Sequence, residues 1–143
     1  MPKIGIVLGS RSDEPYIEEA LKILEDAGVD YEVRVLSAHR DPEGVREYGL
    51  KAHERGVEVI IACAGLSAHL PGVLSSWTKL PVIGVPLPAG ELQGLDALLS
   101  ISQMPGGVPV ATMGIGKKGV KNAALFALRI LSLKYPEIKG RLE

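Results

Sequence analysis

Two histidines, Arg40, Asp13 and four serines fall in three short stretches: Gly9-Ser10-Arg11-Ser12-Asp13, Ser37-Ala38-His39-Arg40 and Gly65-Leu66-Ser67-Ala68-His69-Leu70-Pro71-Gly72. A histidine side chain such as that of His39 or His69 can carry a proton to and from a reacting group. Arg40 is a permanent planar cation that suits phosphate. Gly9 allows close backbone approach, Ser10 and Ser12 offer hydroxyls, and a helix starting just after them presents free N–H groups and a positive dipole end. The chemistry these residues point to is acid/base work beside a bound phosphate.

Each residue also has a plainer reading. Ser12 or Asp13 caps a helix with Pro15 in its first turn, Arg40 is one surface arginine among several, and a lone histidine often does no more than bond backbone. Two histidines at one edge favour the chemical reading, whereas the first loop stays open between phosphate site and cap. His53 lies in a polar helical stretch and reads as a solvated residue. Cys63, the single cysteine, lies in an apolar strand and reads as an inert core thiol. His, Cys and carboxylates show none of the recurring metal-ligand spacings, so no metal is expected.

The elements that must position these loops are strands. Lys3–Leu8, Tyr31–Leu36, Val57–Ala64, Pro81–Val85 and Val108–Met113 are short apolar or β-branched runs, and the stretches between them have helical spacing. Ile17, Ala20, Leu21, Ile23 and Leu24 share one helix face, with Gly28 as C-cap; a second helix opens at Asp41-Pro42 and stops near Gly56. Strands alternating with helices in this way give a parallel sheet covered on both faces. The carboxyl ends of its strands share one edge, so the three loops converge in one crevice.

Composition narrows the partners. The 143 residues carry a net charge of −1, with one Trp and one Phe, which argues against a nucleic-acid surface. Residues 1–143 read as a single α/β domain. With neither an export segment nor a membrane-length apolar run, a soluble cytoplasmic protein is expected. Gly114-Ile115-Gly116-Lys117-Lys118-Gly119 matches G-x-G-x-x-G, but lacks the following strand and acidic residue that a dinucleotide fingerprint requires. Val120–Leu133 is apolar around much of its helical circumference, an excess that suggests burial against another subunit.

GSRSD, SAHR and SAHLPG, in this order on successive β-α units, resemble the class I N5-carboxyaminoimidazole ribonucleotide mutases, also called phosphoribosylaminoimidazole carboxylase catalytic subunits. Agreement runs on through Pro81–Pro86, Ser100–Pro105 and Asn122–Leu125, over nearly the whole chain. Two departures stand out: class I members usually have Gly-Ala at Leu66-Ser67, and they commonly carry a longer C-terminal helix than the one ending at Glu143.

The resemblance implies a three-layer α/β/α, flavodoxin-like fold with a five-stranded parallel sheet, and a homo-oligomer, usually an octamer. It implies that Ser10, Ser12 and Arg40 hold a ribotide phosphate and Asp13 the ribose hydroxyls. Ser37, Ala38, Gly65, Ser67, Ala68 and Leu70 would line the aminoimidazole and carboxylate pocket, with His39 as general acid/base and His69 as a second pocket histidine. The implied reaction moves a carboxylate from the exocyclic nitrogen to ring carbon C4, and because the electron-rich ring is itself the nucleophile, it implies no cofactor. Two alternatives remain: a class II carboxylase that uses aminoimidazole ribonucleotide and free carbon dioxide, and a non-catalytic ribotide-binding module. Arg40 and His69 favour the mutase over class II, where SAHK usually replaces SAHR and the second histidine is absent. Ser67 leans the other way.

Overall fold

Strand residues alternate between two apolar faces, and each face is buried under helices. The computed structural model describes residues 2–142; Met1 and Glu143, the ends of the expected 1–143 unit, lie outside the described residues. Strands β1 (Lys3–Leu8), β2 (Asp30–Val35), β3 (Val57–Ala64), β4 (Val82–Pro86) and β5 (Ala111–Thr112) form one all-parallel sheet in the order β2-β1-β3-β4-β5. On one face Ile4, Ile6, Leu8, Val59, Ile61, Cys63, Ile83 and Val85 pack against α1 (Glu18–Asp26) and α5 (Lys117–Ser132). On the other, Val7, Ile60, Ala62, Ala64 and Val82 pack against α2 (Pro42–Lys51), α3 (Leu70–Trp77) and α4 (Leu95–Ser102). A short helix, α6 (Pro136–Gly140), follows and buries Ile138 in the first core.

The register of β1 on β3 slips between Lys3 and Ile4, which pair with Val57 and Val59. This leaves Glu58 as an extra residue in a bulge. Its carboxylate accepts hydrogen bonds from Lys134 Nζ (2.7 Å) and Tyr135 Oη (2.6 Å), tying the segment after α5 to the start of β3.

Several local expectations change. The first helical segment opens as a 3-10 helix, Arg11–Ile17, because Pro15 has no N–H to donate into an α-helical turn. Its cap is Ser10 rather than Ser12 or Asp13: the Ser10 side chain accepts from the Ser12 N–H at 3.3 Å. The helix opening at Asp41 is capped as expected, with Gly44 N–H donating to Asp41, but α2 gives way after Lys51 to a 3-10 turn, Ala52–Arg55, closed by Gly56 at φ +89°. His53 is exposed there. The fifth strand covers only Ala111–Thr112 rather than Val108–Met113, since Val108 N–H is used in a turn onto Pro105 and Pro109 has no N–H for the ladder.

The G-x-G-x-x-G stretch is a packing device. Gly116 N–H donates to Pro86 O at 2.9 Å, and Gly119 sits so close under the Gly114 carbonyl that a Cβ there would collide with it. Most of the apolar circumference of α5 is likewise spent at home, with Val120, Ala123, Ala124, Ala127, Leu128 and Leu131 buried in the chain's own core.

Candidate active site

The chain leaves β1 for α1 on one face of the sheet and leaves β3 for α3 on the other. Loops that diverge in this way open a crevice at the carboxyl edge between the two strands. Backbone bonds fix where each loop begins: Gly9 N–H donates to Cys63 O (3.1 Å), Leu36 N–H to Leu8 O (2.8 Å), and Leu87 N–H to Ala64 O (3.0 Å). The resulting cleft has a volume of about 360 Å³, within the range of small-ligand sites.

All twelve candidate residues line this cleft: Ser10, Ser12, Asp13, Ser37, Ala38, His39, Arg40, Gly65, Ser67, Ala68, His69 and Leu70. Four further lining residues, Gly9, Ala64, Leu66 and Ala89, were not among them. Ala89 was legible in principle, because it follows β4 at the same edge as the other loops. Small apolar residues, however, carry no chemical signal of their own.

The first loop is both a cap and a cluster of hydroxyls. Ser10 Oγ and Ser12 Oγ lie 2.9 Å apart, and Asp13 N–H closes the turn onto Ser10 O at 3.1 Å. Asp13 is buried, with only 9% of its surface exposed. Burial pushes its carboxyl above the usual carboxylate range, and a backbone hydrogen bond with Ser10 only partly offsets this. Cys63, fully buried beneath the site, has its thiol pushed up first by burial and then by the nearby Asp13 charge, so it is inert at neutral pH.

In the second loop, Arg40 N–H donates to Ser37 Oγ (3.2 Å) and Asp41 N–H to Ser37 O (2.8 Å), a turn that presents His39 and Arg40 at its tip. In the third, Ala68 N–H donates to Gly65 O (3.0 Å), and His69 occupies the N-cap position of α3 ahead of Pro71. The two loops meet through their histidines. His39 Nε2 and His69 Nδ1 are 2.6 Å apart with the rings edge to face, centroids 4.8 Å apart. One ring must donate and the other accept, so the contact fixes complementary tautomers in the neutral pair. It leaves His39 Nδ1 and His69 Nε2 outside this bond.

A proton-carrying pair, paired serine hydroxyls and an arginine around one cleft suit proton transfer on an anionic, phosphorylated small molecule. Among the described residues no cluster of His, Cys, Asp or Glu is arranged to hold a metal ion.

Known proteins are similar to this chain over nearly its whole length. The chain is 63% identical over 143 residues to the N5-carboxyaminoimidazole ribonucleotide mutase of Pyrococcus abyssi (strain GE5 / Orsay), covering all of this chain and 81% of that protein. It is 57% identical to the same-named protein of Saccharolobus solfataricus, again over the whole chain and 89% of the relative. A crystal structure of Treponema denticola PurE superposes with a TM-score of 0.86 at 34% identity, over 99% of this chain and 87% of that one. The AIR carboxylase family matches residues 3–143. With the family match over residues 3–143 and relatives 63% and 57% identical over the whole chain, the chain belongs to the AIR carboxylase family.

Proposed function

We propose that this chain is an N5-carboxyaminoimidazole ribonucleotide mutase of purine biosynthesis, an isomerase that produces 4-carboxy-5-aminoimidazole ribonucleotide. The observation that carries this reading is the His39–His69 contact across two loops of a cleft that also holds Ser10, Ser12 and Arg40. The full-length relatives that bear this name support it.

In this reading Ser10, Ser12 and Arg40 take the phosphate, with charge-assisted bonds from the guanidinium, and Asp13 accepts from the ribose hydroxyls. Ser37, Ala38, Gly65, Ser67, Ala68 and Leu70 enclose the ring and carboxylate. The carbamate C–N bond breaks, its electron pair returns to nitrogen, and His39 supplies the proton. C4 of the electron-rich ring then attacks the freed carbon dioxide, and the C4 proton passes back to His39. The proton balance closes within the site, so the protein supplies position, exclusion of water and one proton carrier. His69, bonded to His39, holds that ring's tautomer and orientation.

The reaction runs within one α/β domain over residues 1–143, in the cytoplasm and in a homo-oligomer, an octamer by family resemblance. Leu92, Leu95 and Leu99 are each half or more exposed, and Phe126 is 41% exposed, apolar surface that a second copy would cover.

The second reading, direct carboxylation of aminoimidazole ribonucleotide by carbon dioxide, is favoured by Ser67 in the cleft and by the family's description as AIR carboxylases. The test supplies purified protein with N5-carboxyaminoimidazole ribonucleotide, and separately with aminoimidazole ribonucleotide, bicarbonate and carbonic anhydrase. Faster formation of the C4-carboxylate from the first mixture supports the mutase. A preference for the second at physiological carbon dioxide replaces it with the carboxylase.

A further inference from the structure

At the amino edge of the sheet, opposite the catalytic cleft, a second cleft of about 330 Å³ lies between the end of α2 and the connection from α3 to β4. Leu50 and His53 line one side of it, and Trp77, Lys79 and Leu80 the other. A missing side chain shapes it: a Cβ on Gly49 would stand 2.7 Å from Trp77 Cβ, so glycine at this position lets the tryptophan lie close against α2. Thr78 Oγ1 accepts from Leu80 N–H at 3.1 Å and holds the turn that carries Lys79. Trp77, the single tryptophan of the chain, is 40% exposed, and Leu50 beside it is 38% exposed. The Arg46 guanidinium stands over the Trp77 ring, 5.0 Å from its centroid.

A clasp between α2 and α3 would account for Arg46 on Trp77. It would not account for the concave apolar surface beside them, nor for the charge. Neighbouring cations are neutralised, Lys51 by Glu47 at 3.6 Å and Arg55 by Glu32 at 2.7 Å, whereas Arg46 and Lys79 form no ion pair among the described residues. An aromatic ring and two leucines, edged by uncompensated cations, are complementary to a flat ring system that carries an anionic group. The volume lies at the small end of ligand cavities, which suits a single nucleotide and not a long chain. We propose that this cleft is a second small-molecule site that takes an aromatic mononucleotide: the base stacks on Trp77 between Leu50 and Leu80, and the phosphate meets Lys79 and a His53 N–H, with Arg46 adding positive charge at the ring. The site shares no lining residue with the catalytic cleft, and the proposal holds whichever carboxyl donor that cleft takes.

Trp77 is its own reporter, because all tryptophan fluorescence of the chain comes from this cleft. The protein is titrated with adenosine 5′-monophosphate, and separately with adenosine and with ribose 5-phosphate. The mononucleotide should quench Trp77 saturably with a midpoint at or below about 1 mM. Adenosine, without the phosphate, and ribose 5-phosphate, without the ring, should each need roughly tenfold more, the effect of losing one charge-assisted contact or the stack. Lys79→Ala should weaken the mononucleotide about tenfold and leave adenosine unchanged. Leu50→Glu, which sets a carboxylate at the cleft, should abolish the quench with an unchanged thermal midpoint, since residue 50 is exposed. Arg40→Ala should quench as the wild type does. Absence of a saturable quench by the mononucleotide overturns the proposal, as does equal quenching by adenosine. Loss of the quench in Arg40→Ala also overturns it, because the signal would then come from the catalytic cleft. So does a lower mass by light scattering in Leu50→Glu, since the cleft would then be a contact between copies of the chain.

Discussion

Asp13 is a carboxylate in a place that disfavours its charge. Because its folded-state pKa is raised above the unfolded value of 3.8, chiefly by burial, its ionisation costs stability at neutral pH. Below the unfolded pKa both states hold the proton and the cost disappears. Asp13→Asn should therefore raise the thermal midpoint at pH 7, with the gain fading as pH falls through the raised folded-state pKa and gone below about 3.8. The same variant should bind the ribotide more weakly, having lost the anionic acceptor proposed for the ribose. A lower midpoint at pH 7 would mean that the charge is compensated in the folded protein. At this scale the sequence was most legible where side chains carry chemistry, and His39, His69, Arg40 and the serines could be named from their types and places. Ala64 and Ala89 could not be ranked as site residues, and Leu66 stood out only as a departure from the family pattern, because their contribution is shape, which depends on how the third loop lies against the fourth.

Elements were readable where a run of apolar residues had one outcome. β1 and β3 have the limits expected of them, because each is flanked by polar or turn-forming residues and buried on both faces. β5 was overestimated: Val108–Met113 has the composition of a strand, but Pro109 and the turn at Pro105–Val108 leave only two residues in ladder pairing. The 3-10 start of the first helical segment depends on Pro15, whose first-turn place in the sequence fits either helix type. The glycine pattern before α5 offers a test at this scale. Gly119→Ala should destabilise the fold by about 1–3 kcal/mol, the usual range for a forced steric clash, because its Cβ would strike the Gly114 carbonyl. Gly114→Ala meets nothing within 4 Å and should stay within about 0.5 kcal/mol of wild type. Urea unfolding of both variants decides the matter, and equal stabilities would contradict the packing role given to Gly119.

For the molecule as a whole, the sheet order β2-β1-β3-β4-β5 converts three sequence-distant loops into one cleft, with the reversal between β1 and β3 opening it. That order was not contained in any single motif; it follows from which face each helix covers. The α5 segment buries most of its apolar side chains internally and leaves Phe126 and Leu133 exposed, while a second group of exposed apolar residues, Leu92, Leu95 and Leu99, lies before and along α4. If these cover a second copy, light scattering should give a mass several-fold that of one chain, and Leu95→Asp combined with Leu99→Asp should lower it. A stable monomer of the wild type at micromolar concentration contradicts this.

In the proposed mechanism the fold brings His39 against His69 to move a proton on a ring held by its phosphate. The most direct test of this mechanism is His39→Asn, assayed for turnover of N5-carboxyaminoimidazole ribonucleotide and, by calorimetry on the same preparation, for ribotide binding. Turnover should be abolished, with affinity within about tenfold of wild type, because loss of a proton carrier costs the transition state and spares the phosphate contacts. Near-normal turnover in His39→Asn would contradict the account and leave the cleft as a ribotide-binding site without this proton carrier.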